Sequence, residues 1–538
     1  MNATTSVHDP DAALQLALAL HQRGELDNAR QAYLAILENS PQHANTLHLL
    51  GVVVKQQGDP VQAIDWIAQA IAIDPHQPTM HCNLGAAWQE VGEPERALTS
   101  YDAALALTPG YALAWSNRGN SLRSLGRRDD ACTSYQRALA LRPDYPEALC
   151  NLAVTLHDLG ADEQALAAAH RALSLRPRYV DAMCASGNAL HGLQRYAQAA
   201  EQFGLALALD ERHAQAWCWR GIALQKLQDY DGAVEHYQQA IALRPGFADA
   251  FHYMGNALLA LNRQAAALAA WRTALALGGD TETLAFAIAA NEGGAPPAAA
   301  PAAYVTALFD DYAERFEQHL VETLAYSTPA LIGAALDTID LQDRLVTLDL
   351  GCGTGLCAPV LRARSRTLTG VDLSPKMLEQ ARSRHAYDVL ACADIGAWLT
   401  DCVDSFDLVV AADVLVYFGD LAPLMEQVSG RLHAGGWFAC SVETHAGAGF
   451  VLQMSSRYAH ALEYMEEVAR AAGMHVRATQ PAVLRRDRGE AVHGAIVLLQ
   501  KLQTGLAPIV SLNSATPSTP ALTSSPGLSG PTPPGVPV

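Results

Sequence analysis

Val346-Thr-Leu-Asp-Leu-Gly-Cys-Gly-Thr-Gly355 runs from an apolar strand into three alternating glycines. The strand ends at Leu350, and Gly351, Gly353 and Gly355 make a tight turn into a helix. Without a Cβ, such a turn can take φ > 0 and bring its backbone close to a ligand. The usual dinucleotide fingerprint is G-x-G-x-x-G; here the third glycine comes one residue early. Asp349 stands two residues before the first glycine. A carboxylate there opposes a pyrophosphate but suits a cationic ligand. An NAD-binding oxidoreductase therefore fails on the glycine spacing.

Working outward, apolar runs at 345–350, 367–371, 408–411, 437–442 and 495–499 alternate with amphipathic helices. Strand and helix in alternation predict a parallel α/β sheet. Asp372 closes the second strand (Leu368-Thr-Gly-Val-Asp372), beside the first turn in a doubly wound sheet. Its carboxylate can accept from two ribose hydroxyls. Asp394, in Cys392-Ala-Asp-Ile395, falls where a third strand should end and can accept from an adenine amino group. Phe406-Asp-Leu-Val-Val-Ala-Ala-Asp413 ends a fourth strand on another acid.

Taken in order, D-x-G-x-G-x-G, V-D, A-D and F-D-L-V resemble the class I S-adenosylmethionine-dependent methyltransferases over about 304–502. The resemblance implies S-adenosyl-L-methionine as cofactor. It implies that Gly351, Cys352, Gly353 and Gly355 wrap the methionine part and ribose, and that Asp349 orients the positive end. It implies ribose contacts from Asp372, adenine contacts from Asp394 and Ile395, and packing of Leu373 or Met377 on the adenine. Asp413 completes the expected cofactor set. Gly435-Gly436 before a strand resembles the family's late turn, and 474–502 its closing hairpin.

Methyl transfer from a sulfonium is an in-line displacement, and positioning alone supplies much of the rate. Nothing in the sequence requires a general base. His319, Tyr326, Tyr417, His445, Tyr458 and His460 lie near strand ends or in the cap. His319, Tyr417 and His460 are the candidates kept, though each reads more readily as structural or substrate-packing. Asp413-Val-Leu-Val-Tyr417 lacks the Asn/Asp-Pro-Pro-aromatic signature of amino-group methylases, and the acceptor is not legible.

N-terminal to this region, the sequence repeats. Pro41, Pro75, Pro109, Pro143, Pro177 and Pro245 stand 34 residues apart or a multiple of it. Gly51, Gly85, Gly119, Gly187, Gly221 and Gly255 follow the same step, with Ala17 and Ala153 on its other rungs. A third ladder runs from Ala29 to Ala267. Each unit holds two helical patterns, small residues recur where helices approach closely, and proline stops the second helix. One hairpin cannot bury its apolar face alone, so the units must stack. The period and pattern resemble the tetratricopeptide repeat. The expected organisation is a solenoid of about eight repeats plus a closing helix (10–290), a Gly/Pro/Ala linker (291–303), an α/β Rossmann-like methyltransferase domain (304–502) and a disordered Pro/Ser/Thr tail (503–538). With Phe309-Asp-Asp-Tyr312 before the glycine turn and Arg457-Tyr-Ala-His460 after it, the whole resembles bacterial tetratricopeptide-methyltransferase fusions.

Asn83, Asn117 and Asn151 occupy one position of the first helix in successive repeats; Asn120, Asn188 and Asn256 occupy another. An amide can both donate to and accept from an extended peptide backbone. The row resembles the peptide-binding ladder of O-GlcNAc transferases, so a protein or peptide in the repeat groove is one expectation; a polar inner face with no dedicated ligand is the other.

Asp plus Glu number 55 against 36 Lys plus Arg, a formal charge of -19, which disfavours a nucleic-acid interface. The ten cysteines show no C-x-x-C spacing, so neither a metal site nor a disulfide framework is expected. A reduced, cytoplasmic setting fits best, with no membrane span. Two functions stay open: a methyltransferase whose repeats dock a partner or substrate, and an interaction scaffold with a cofactor-binding but inactive or regulatory methyltransferase-like domain.

Overall fold

Five glycines of the repeat ladder each lie beneath an aromatic ring sixteen residues further on. A Cβ added at Gly85, Gly119 or Gly221 would meet the ring of Tyr101, Tyr135 or Tyr237 at 2.5–2.7 Å. At Gly187 and Gly255 it would meet Phe203 and Trp271. The glycine thus lets the first helix of a repeat close onto a ring of the second. The computed structural model describes residues 10–294, 296–312, 326–487 and 490–502. Contacts divide the chain into two compact units, meeting in sequence at Ala295/Pro296.

In the first unit, sixteen helices from Pro10 to Ala276 form eight pairs, followed by a seventeenth helix at Thr281–Glu292. Alanines of the third ladder are fully buried. Stacked arginines mark the joints between repeats: Arg142 over Tyr145, Arg176 over Tyr179 and Arg244 over Phe247. Between the paired helices the chain turns through a left-handed residue. Glycine holds it up to Gly160 (φ +75°), and Gln194, Gln228 and Asn262 hold it at the next rungs.

The second unit is a seven-stranded sheet flanked by helices. Its parallel strands are β1 (Leu345–Leu350), β2 (Ser365–Asp372), β3 (Val389–Cys392), β4 (Phe406–Ala411) and β5 (Leu432–Glu443). A small pair, β6 (Phe450–Leu452) and β7 (Tyr458–His460), stands apart. The long hairpin of β8 (Met474–Asp487) and β9 (Glu490–Lys501) adds to β5 antiparallel. The order is β3-β2-β1-β4-β5-β9-β8. Alternate residues of one strand join different cores: Val409 and Ala411 face one cluster, Leu408 and Val410 another. Both faces are therefore covered, which is why these strands read as continuous apolar runs. The reversal of strand order between β1 and β4 puts a crevice at the carboxyl ends of the strands, where such sheets bind ligands.

Gly435 and Gly436, expected in a turn before a strand, lie inside β5. Gly435 has φ +81°, and pairing with β4 slips between Phe406 and Leu408. The glycine absorbs a bulge without ending the strand.

Pro297 to Ala300 are hydrogen-bonded into the second unit. Ala300 N donates to Tyr417 O (2.8 Å), Gly419 N and Asp420 N donate to Ala298 O (2.7 and 2.9 Å), and the Tyr458 hydroxyl donates to Pro297 O (2.7 Å). All ten cysteines are free thiols. No helix among the described residues is long and apolar enough to cross a membrane. His319 and the 503–538 tail lie outside the described residues.

Candidate active site

The turn after β1 is built as its glycines suggest: φ is +64° at Gly351, +54° at Gly353 and +85° at Gly355. A Cβ at Gly351 would come within 2.3 Å of Val414, so the turn abuts the segment after β4. Asp372 secures it. One carboxylate oxygen accepts from Gly353 N (2.8 Å) and the other from Ser374 N (2.9 Å). Burial pushes the Asp372 carboxyl up, against the pull of those N–H donors. Ser374 in turn caps the helix Pro375–Ser383 and donates to Asp310 (2.5 Å).

Asp349 is almost wholly buried and accepts from the Tyr387 hydroxyl at 2.7 Å. Burial raises its carboxyl to about 7, although the phenol's hydrogen bond opposes the shift. Asp394 is exposed and caps the helix Ile395–Asp401 through Ala397 N (2.9 Å). Asp413 has φ +57°; its backbone N donates to the Ser441 hydroxyl (2.8 Å) and its carboxylate meets Arg485 (3.3 Å).

These groups line one cavity. Asp349, Gly351, Cys352, Gly353, Asp372, Leu373, Asp394 and Ile395 are on its wall. So are Ala299, Val305, Phe309, Tyr326, Asp413, Val414, Tyr417, Phe418 and Arg457. Gly355 and Met377 are not on the wall. Gly355 makes room for Arg384 and Tyr387 behind the turn, and Met377 is fully buried in its helix.

Family models match residues 348–440 as a methyltransferase domain, and residues 10–76, 84–131, 119–160 and 214–247 as tetratricopeptide or TPR repeats. The chain joins tetratricopeptide repeats to a methyltransferase domain. This domain is 35% identical over 106 residues to the trans-aconitate 2-methyltransferase of Methylobacterium radiotolerans, covering 19% of this chain and 40% of that one. It is 33% identical over 116 residues to the malonyl-[acyl-carrier protein] O-methyltransferase of Acetivibrio thermocellus, covering 20% and 40%. The chain thus spans about two fifths of the length of these relatives. The crystal structure of the APC/C hetero-tetramer Cut9-Hcn1 is similar to half of the chain (50%, and 52% of that chain) with 19% identity and a TM-score of 0.40.

Of the candidate proton-transfer groups in the methyltransferase domain, Tyr326 and Tyr417 line the cavity. His460 does not. Its Nε2 lies 2.8 Å from Phe418 O and 3.2 Å from Gly419 O, and burial lowers it to about 4. It pins the chain behind Tyr417. His445 accepts from Gly447 N, and Tyr458 holds Pro297. The sequence did not single out Tyr387 or the buried cluster of Arg485 with Glu443 and Asp413. Tyr387 is 38 positions from its partner, and nothing in its neighbourhood marks it.

In the repeats, two of the six asparagines have oxygens already taken. Asn120 accepts from Tyr135 (2.7 Å) and Asn151 (3.0 Å), and Asn256 accepts from Trp271 (3.0 Å). Asn83 Nδ2 lies 2.8 Å from Nε2 of His48, which burial lowers to about 4. Asn117 and Asn188 are half-buried.

Proposed function

We propose that the protein transfers a methyl group from S-adenosylmethionine and that its repeats dock the acceptor or a partner protein. The observation that carries the reading is Asp372: both its oxygens hold backbone N–H groups of the glycine turn and of Ser374, at the carboxyl end of β2, on the wall of a cavity. Gly351, Cys352 and Gly353 would hold the methionine part, Asp372 the ribose, and Leu373, Asp394 and Ile395 the adenine. Asp349 would face the cationic end. When bound, the sulfonium supplies an activated methyl group, and the protein's own part is to bind, orient and exclude water.

Calorimetry on the full chain tests this. S-adenosylmethionine should bind, and Asp372→Ala should weaken binding by about 2–4 kcal/mol, roughly 30- to 1,000-fold. No binding by the intact chain would sink the assignment. For the repeats, Asn83, Asn117 and Asn151 replaced together by Ala should raise the acceptor's KM and leave cofactor affinity unchanged, because docking acts on the acceptor's effective concentration.

A further inference from the structure

Arg457 is the only cationic side chain among the described residues that line the cavity. Its guanidinium carbon stands 6.0 Å from the centre of the Tyr417 ring, and its ion-pair partner Glu443 is 3.7 Å away. That distance is too long for a hydrogen bond. Glu443 is instead hydrogen-bonded to Arg485, whose other arm reaches Asp413 at 3.3 Å. Among the described residues the Arg457 guanidinium makes no hydrogen bond. Its five donors are thus unbonded within a cavity that Ala299, Val305, Phe309 and Phe418 also line. Glu443 and Asp413 offset its charge from a distance, and the guanidinium donors remain open to the oxygens of a bound anion.

No histidine or lysine lines the cavity among the described residues. Asp413 is held by Arg485 and Ser441. Burial pushes the phenols of Tyr326 and Tyr417 up, away from ionising at neutral pH. Among the described lining residues, an acceptor that must first lose a proton meets no histidine, lysine or phenolate to take it, whereas a carboxylate arrives already ionised.

We infer that the methyl acceptor is a carboxylate on an apolar body, bound through its charged end by Arg457. This rests on the methyltransferase reading above. One carboxylate oxygen forms a bond to the methyl carbon of the sulfonium donor. The carbon–sulfur bond breaks, and its electron pair stays on sulfur as a neutral thioether. The product is a methyl ester; no proton moves, and one positive and one negative charge disappear together. A low-dielectric cavity favours that loss of charge. The neutral ester no longer pairs with Arg457, which helps it leave. The carboxylate can belong to a small acid or to a protein-borne group.

The test uses the full chain loaded with S-adenosylhomocysteine and two matched probe pairs: hexanoate with hexanamide, and phenylacetate with phenylacetamide. Ligand-observed NMR should show each acid binding about 10- to 100-fold more tightly than its amide, the range for a charged hydrogen-bonded pair. Arg457→Gln should erase the difference, and Arg457→Lys should keep part of it. Equal binding of acid and amide, or a preference that survives in Arg457→Gln, overturns the proposal. Should Arg457→Gln misfold, a second measurement on the unaltered protein decides. Methyl-labelled donor is added with whole-cell extract, and labelled products are split by size and treated with alkali. Label released as methanol supports the ester, and the size fraction tells a small acid from a protein. Alkali-stable label, or no label with the donor bound, overturns it. Failure of S-adenosylhomocysteine to bind would instead strike the reading beneath.

Discussion

The Tyr387 hydroxyl donates a 2.7 Å hydrogen bond to the carboxylate of Asp349, at the wall of the cavity and two residues before the glycine turn. The pair fixes the direction of a carboxylate whose ionisation burial opposes. The donor that family resemblance implies is a cation, so the charge state of Asp349 matters to it.

Cofactor affinity should therefore depend on pH. The Asp349 carboxyl is raised from 3.8 to about 7. A carboxyl raised on folding favours the folded state below 3.8, and that contribution is lost as pH rises through about 7. Binding of a cation has the opposite sense, because it needs the ionised form. Affinity should be about tenfold lower at pH 6 than on the plateau above pH 8. Calorimetry in two buffers of different ionisation enthalpy should show proton release near pH 6.5. Affinity that is flat across this range, or a slope unchanged in Asp349→Asn, refutes the coupling.

The first residues of the second unit should be needed for its stability. A fragment begun at residue 304 lacks the four hydrogen bonds from Pro297, Ala298 and Ala300 to Tyr458, Tyr417, Gly419 and Asp420. It also lacks Ala299 from the cavity wall. Fragment 296–502 should be more stable than 304–502 by about 2–4 kcal/mol. Urea denaturation of the two side by side checks this; equal midpoints would mean that the segment contributes nothing.

Gly119→Ala should weaken the solenoid. The new methyl would stand 2.5 Å from the buried Tyr135 ring, whose hydroxyl is tied to Asn120. Neither neighbour can step aside freely, and overpacking of this kind costs about 1–3 kcal/mol. That outweighs the roughly 1 kcal/mol which alanine gains over glycine in a helix. The far-UV melt of the repeat region is the measurement. A higher melting temperature would mean the ring has room to move.

Gln194→Gly and Gln228→Gly should have the opposite effect. Both glutamines hold a left-handed φ, +57° and +64°, at rungs where earlier repeats carry glycine. Relief of that conformation exceeds the added freedom of the unfolded chain, giving about 0.5–1 kcal/mol each. The same melt should rise with either substitution, and a fall would show that the glutamine side chains contribute more than their backbone costs.

The sequence exposed the parts of the fold whose determinants lie close together along the chain. Gly351, Gly353 and Gly355 sit within five residues, and their φ values follow from glycine alone. Asp372 and Asp394 follow strand ends visible as apolar runs. The repeat was legible because its 34-residue step recurs in several residue types at once. What stayed hidden is built from distant pairs: Tyr387 with Asp349, Arg485 with Glu443 and Asp413, Pro297 with Tyr458. Each needs the finished sheet to bring it together, and none repeats. The surroundings of His460 were hidden for a related reason. A histidine in the cap reads as chemistry, yet its ring faces the carbonyls of Phe418 and Gly419. The asparagine rows were visible, but that Asn120 and Asn256 answer to Tyr135 and Trp271 depends on helix pairing.

The glycine and the ring it supports always belong to the same repeat, as with Gly119 and Tyr135 or Gly221 and Tyr237. A duplication or deletion of 34 codons in frame therefore never separates the two members of a pair, wherever the break falls between repeats. Array length can change in whole steps by recombination alone, with no compensating point mutation inside any repeat. A break within a repeat, between the glycine and its ring, has no such protection. Length variants that survive should accordingly differ by multiples of 34 residues, with their junctions in the turns that separate one glycine–ring pair from the next.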